Sequence, residues 1–153
     1  MVDTFYYTKE QLSSNTFKIT RYYGLSDNSN LRSYVDTFII GKNKWRRYYK
    51  NRIVPFLSVK DFNSKTTVNE FLDKDNSDYF YNKYIPVKRI EVNGKDFYLY
   101  RVVPMYGKGM DQSLGNGPYH IVFNFSVGEV YRSTYQITKV LEGFEEYTKD
   151  FKW

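Results

Sequence analysis

Asn93 and Gly94 lie between two runs rich in β-branched and aromatic residues, Val87 to Val92 and Lys95 to Val103. An Asn-Gly pair supplies the positive backbone φ angles of a type I′ turn, the turn whose twist matches that of the two strands it joins. The pair therefore predicts a hairpin together with its register. Ile90 is expected opposite Phe97 and Val92 opposite Lys95 on one surface, with Arg89 opposite Tyr98 and Val87 opposite Tyr100 on the other. Glu91 falls opposite Asp96, a like-charge pair that works against the fit.

Composition pushes the rest of the chain the same way. Aromatic residues make up 20% of it, with 17 Tyr and 12 Phe, and Ala is absent. Without the best helix former, and with many residues that suit a pleated surface, local propensity favours strand. An AT-rich coding sequence would produce the same bias, so the ring count alone is no sign of function. The 153 residues fit a single domain, 1–153. The fold expected is α+β: a mainly antiparallel sheet or partly open barrel, with a C-terminal amphipathic helix and short extra helices.

Alternation predicts strands from Thr16 to Tyr23, where Phe17, Ile19, Arg21 and Tyr23 share a face, and from Tyr119 to Val127. Leu31 to Ile40 matches both periods and leans to strand. Three Ser/Thr-x-x-Glu/Gln patterns, Thr8 with Gln11, Thr67 with Glu70 and Ser133 with Gln136, resemble helix N-termini. The last of them precedes Ile137, Val140, Leu141, Phe144, Tyr147 and Phe151 at helical spacing, which predicts the C-terminal helix with its apolar stripe buried. Ser26 to Asn30 and the glycine-rich stretch Pro104 to Pro118 read as loops.

Charge is uneven. Net charge is +6, yet residues 1 to 60 carry about +7 and the remainder about −1. The densest part is Lys42 to Arg52, in which Lys42, Lys44, Arg46, Arg47, Lys50 and Arg52 stand with Trp45, Tyr48 and Tyr49 and no acid. Trp45, Tyr48, Tyr49, Arg52, Ile53 and Phe56 recur at helical spacing, a reading that puts the rings on one stripe and most cations elsewhere, with Pro55 ending the helix. Cations attract polyanions, and rings offer faces on which bases stack. Lys42, Lys44, Arg46, Arg47, Lys50, Arg52, Tyr48 and Tyr49 are thus the candidate contacts to nucleic acid or another polyanion.

Catalytic chemistry has little to build on. The chain has one histidine, His120, and no Cys, so thiolate sites, disulfides and His-paired nucleophiles have no basis. Gly107-Lys108-Gly109 lacks the Ser or Thr and the upstream glycine of a phosphate loop. Asp73, Asp75 and Asp78 begin like a calcium loop, but the positions that need Gly and Glu hold Asp78 and Tyr84. No enzyme activity, cofactor or metal is expected. No leader is visible at Met1 to Thr4 and no apolar run approaches the roughly 20 residues that span a bilayer, so a cytoplasmic protein without membrane contact is expected.

The function expected from these features is non-enzymatic assembly or binding. The first form is a small structural or accessory component of a virus or phage particle, its basic face toward nucleic acid or an acidic neighbour. Alternatives are an OB-like binder of single-stranded nucleic acid and an inhibitor that docks on a host enzyme. Partners would be proteins, further copies of the chain, or DNA or RNA at the basic segment, and surplus Tyr would serve at such interfaces.

Overall fold

A computed structural model describes residues 2–23, 32–49, 51–71, 80–106, 117–134 and 138–151. Its strands are β1 (Val2–Gln11), β2 (Thr16–Tyr23), β3 (Arg32–Ile40), β4 (Lys44–Tyr49), β5 (Arg52–Ser58), β6 (Val68–Phe71), β7 (Phe80–Val92), β8 (Lys95–Tyr106), β9 (Tyr119–Asn124), β10 (Gly128–Ser133) and β11 (Thr138–Leu141). One short helix, α1 (Val59–Asn63), follows β5, and a 3₁₀ helix spans Glu145–Asp150. All strands join one eleven-stranded sheet in the order β5-β4-β3-β2-β1-β11-β10-β9-β8-β7-β6. Neighbours are antiparallel except β1 and β11, which run parallel with Phe5 beside Leu141. The two edge strands, β5 and β6, come back against each other without a hydrogen-bonded ladder. The sheet is therefore a nearly closed barrel with one seam.

The Asn93-Gly94 hairpin forms as expected, with φ of 52° and 75° at the two turn residues. Ile90 meets Phe97, Val92 meets Lys95 and Arg89 meets Tyr98. Val87 does not meet Tyr100. The register shifts between Pro86 and Lys88, so Pro86 takes that place and Val87 bulges, because proline has no N–H to give the ladder. Arg89 bonds Asp96 at 2.6 Å, which offsets the repulsion from Glu91.

The expected helices are corrected. Thr8 to Gln11 lies inside β1, Thr67 to Glu70 leads into β6, and the supposed helical stripe from Trp45 to Phe56 is the β4–β5 hairpin. Thr8–Gln11 and Thr67–Glu70 have the short polar pattern of a helix start and Trp45–Phe56 has helical spacing, but cross-strand pairing outweighs both. Pro55 sits in edge strand β5, where a missing N–H is tolerated. At the C-terminus, Val140 and Leu141 belong to β11, held between β1 and β10. Gly143, at φ 92°, then breaks the stripe before the 3₁₀ helix. The fold is mainly β rather than α+β, although Val140 and Leu141 are buried as expected; Phe144 is only half-buried, and Ile137 lies outside the described residues.

Strand alternation divides the core in two. On β8, Tyr98, Tyr100 and Val102 point into the barrel with Phe38, Trp45, Phe62 and Phe123. Phe97 and Leu99 point outward, to Val122, Val130 and Val140 beneath the C-terminal segment. There the Tyr147 and Phe151 rings each lie 5.1 Å from Phe97, so the 3₁₀ helix covers one outer wall.

The registers place Tyr23, Arg32, Tyr49, Arg52, Phe71, Phe80, Tyr106, Tyr119, Ser133 and Thr138 at one end of the barrel, here the upper. Gln11, Thr16, Lys44, Val92, Lys95, Asn124 and Gly128 mark the lower end. Helix α1 leaves β5 at that lower end, capped by the Ser58 side chain on the Asp61 N–H. Its Phe62 fills the lower interior, 4.9 Å from the Tyr98 ring and 5.1 Å from that of Tyr100.

Candidate ligand-binding cavity

The basic segment is split by the strand it forms. Trp45 and Arg47 point inward, whereas Lys44 and Tyr48 are exposed and Arg46 is half-buried on the outer surface. Tyr49 and Arg52 pair at the upper end of the β4–β5 hairpin. Lys42 is exposed in the lower turn between β3 and β4, beside an open groove of about 320 Å³ that also reaches Lys95 and Phe144. Lys50 lies outside the described residues, as do Asp73, Asp75, Asp78, Gly107, Lys108 and Gly109.

Above Phe62 the barrel encloses a cavity of about 410 Å³. Its floor is aromatic and aliphatic: Trp45, Phe38, Phe123, Ile19 and Ile121. The Trp45 ring meets Phe38 and Phe123 edge-on, with centroids at 5.3 and 5.1 Å, and its indole N–H donates to the Phe125 carbonyl at 2.9 Å. Gly128, at φ 115°, makes this placement possible, since a Cβ there would come within 3.1 Å of the Trp45 ring. The Tyr7 hydroxyl donates to the Glu129 carbonyl and secures the same corner.

On β2, β3, β4 and β9 the charged or hydroxyl-bearing residue of the wall stands nearer the upper end. Arg21 stands above Ile19, Asp36 above Phe38, Arg47 above Trp45, and Tyr119 above Ile121 and Phe123. Arg132 and Glu129 complete this collar from β10. Each guanidinium lies over a ring: Arg21 over Tyr7 at 5.6 Å, Arg47 over Phe38 at 5.4 Å, Arg132 over Tyr119 at 4.8 Å. Stacking and carboxylate partners together make buried arginines tolerable. Tyr34, 53% exposed, stands at the mouth.

Two buried glutamates, Glu129 in this collar and Glu70 outside it but bonded to the collar's Arg47, have opposite acidities. Glu129 sits between two cations: Arg132 chelates it at 2.8 and 3.2 Å, and Arg21 approaches to 3.4 Å. Burial alone would raise its pKa, but these guanidinium groups hold it below the ordinary carboxylate value. Glu70, on β6, shares a single guanidinium. Arg47 gives Nη1 to Glu70 and Nη2 to Asp36, both at 2.9 Å, and thus ties β4 to β6 across the seam. Glu70 is wholly buried, its Oε2 has no hydrogen-bond partner, and the Tyr84 hydroxyl is 3.4 Å from its Oε1. Burial pushes its pKa up to about 7; Arg47 opposes the shift and Asp36 adds to it. The same pairing raises Arg47 despite its burial, since two carboxylates face one cation.

Sequence reasoning identified Arg47 for polyanion contact and passed over Arg21, Asp36, Glu70, Glu129 and Arg132. The available signal was a charge on the apolar face of a strand, as with Arg21 beside Ile19 and Phe17. His120 lies on β9 opposite Arg101 and Ser133; burial and Arg101 lower its pKa. Among the described residues no group of three or more His, Cys, Asp or Glu is placed to hold a metal ion, and no helix is long and apolar enough to cross a membrane. No protein family, curated protein or solved structure matches the chain.

Proposed function

We propose that the chain is a non-enzymatic binding protein whose barrel takes up one small, largely apolar and planar molecule through its upper end. The observation that carries this reading is the cavity of about 410 Å³ with an aromatic floor and a polar collar. Ligand sites commonly enclose about 300–1,000 Å³, apolar for most of their surface and set with a few fixed polar groups. Rings presented edge-on and flat around the floor suit a planar apolar body.

Trp45 reports on occupancy, because its ring is part of the floor. With Trp153 replaced by Phe to remove the second indole, 2-naphthylacetamide should change the Trp45 emission saturably, with one site per chain. Ile121→Phe, which narrows the floor, should weaken that binding at least tenfold. An emission that stays constant up to millimolar ligand would sink the reading.

A second reading keeps the assembly role of a cytoplasmic or virion protein. Lys44, Arg46 and Tyr48 alternate onto the outer surface of β4, and Lys42 is exposed below them. On the same face of the sheet Tyr6 stacks on Tyr22 at 4.8 Å. Cations beside exposed rings favour contact with nucleic acid or an acidic neighbour there.

A further inference from the structure

Resting on that cavity reading, we infer that the bound molecule is an organic acid, and that its negative charge is balanced by a proton taken up at Glu70. The walls present Arg21, Arg47 and Arg132, whose positive charges are matched by Asp36, Glu129 and Glu70. Both oxygens of Glu129 are already bonded to guanidinium nitrogens, whereas Arg47 keeps a buried Nε without a partner. A carboxylate in the cavity stands beside the guanidinium groups of Arg21, Arg47 and Arg132, which line it. It also makes a fourth negative charge, which the buried collar disfavours unless one of the existing three is discharged.

Glu70 is the group placed to discharge. The groups that face it are Arg47 from β4, Asp36 from β3, Arg21 from β2, Tyr84 from β7 and Tyr119 from β9. Of the carboxylates only Glu70 is fully buried while sharing its one bonded cation, and its Oε2 is unpartnered. Protonation leaves Arg47 with Asp36, and Arg21 and Arg132 with Glu129. That is one negative charge short of neutrality, which a monoanionic ligand supplies. Burial already pushes its pKa up to about 7, which puts this exchange within reach. Ligand and proton then bind together, each strengthening the other by the same factor.

The experiment is calorimetry with 2-naphthylacetate and its neutral amide, between pH 6 and 9 at fixed ionic strength. At pH 6 the acid should bind at least about tenfold more tightly than the amide, and lose about tenfold or more by pH 9, a typical size for such coupling. The amide should show no such decline. Repeating the acid titration at pH 7.5 in buffers of different ionisation enthalpy should show net proton uptake, although the ligand is fully ionised there. Glu70→Gln should keep the tight binding of the acid and abolish both its pH dependence and the proton uptake. Should that variant fail to fold, the proton count on the wild-type chain decides alone. Equal affinity for acid and amide, or acid binding without proton uptake, overturns the inference while the cavity reading stands. Failure of both ligands to bind, with Trp45 emission unmoved, overturns both.

Discussion

Replacing Glu70 by Gln should reverse the usual expectation for removing a buried ion-pair partner. Glu70 has no exposed surface and accepts from Arg47 at 2.9 Å, and its pKa is near 7 against an ordinary 4.5. The folded chain thus holds a proton there more readily than the unfolded chain. The stability this contributes is complete below about pH 4.5 and is lost as pH rises through about 7. A displacement of roughly two and a half pH units at about 1.4 kcal/mol per unit corresponds to about 3 kcal/mol, of which about 2 kcal/mol should disappear between pH 5 and 8. Gln imitates the protonated acid in shape and charge, keeps an oxygen for Arg47, and leaves Arg47 paired with Asp36. Glu129 works in the other direction: its depressed pKa contributes stability above the ordinary carboxylate pKa, lost as pH falls. Both proteins contain Glu129, so the difference between them isolates Glu70. Urea denaturation at matched salt should show the Gln variant gaining about 2 kcal/mol on the wild type from pH 5 to pH 8, with unchanged denaturant dependence. Parallel stability curves, or a Gln variant that loses ground at pH 8, would refute the assignment of Glu70 as the surplus carboxylate.

Trp45→Ala should cost about 3–5 kcal/mol in the same denaturation assay, from lost burial and the void it leaves, whereas Trp45→Phe should cost less because a ring stays on the floor. A loss below about 1 kcal/mol for Ala would mean that the floor closes without the indole. Changing Lys42, Lys44 and Arg46 together to Ala should leave the fold intact. If the outer surface of β4 meets single-stranded nucleic acid, the salt dependence of that binding should flatten by about 2 units of log–log slope; an unchanged slope would remove the second reading.

What was legible in the sequence was whatever short-range chemistry decides. Asn93 and Gly94 specify their hairpin because only a few residue types adopt the φ angles of that turn, and β2 runs over the same residues, Thr16 to Tyr23, that alternation outlines. The failures share a cause. Around Thr8, Trp45, Thr67 and Ile137 a few polar and apolar residues match helical spacing as well as strand spacing. The outcome rests on partners far away in sequence: β11 is strand because β1, at the other end of the described chain, lies parallel to it. The cavity was hidden for the same reason. Arg47 in a cationic run looks like a surface charge until β4 is recognised as a strand, whereupon its parity with Trp45 turns it inward. Nothing near Glu70 in sequence announces Arg47, Asp36 or Tyr84.

The aromatic surplus has a geometric role whatever its codon origin. Barrel width grows with strand number, and about eight strands already make an interior that side chains just fill. An eleven-stranded wall with a single seam encloses more. Below, Phe62, Tyr98, Tyr100 and Phe125 meet edge-to-face and fill the space with large rings. Above Trp45 and Phe123 the rings give way to arginines, each resting on an aromatic face, and the space stays open. Ion pairing makes those arginines tolerable, but Arg47 serves two carboxylates while Glu129 is bonded by two guanidinium groups. The imbalance therefore settles on Glu70, beside the seam and in direct contact with a cavity-lining cation. If a ligand that enters the cavity engages Arg47 as proposed, ligand binding and protonation of Glu70 are expected to vary together.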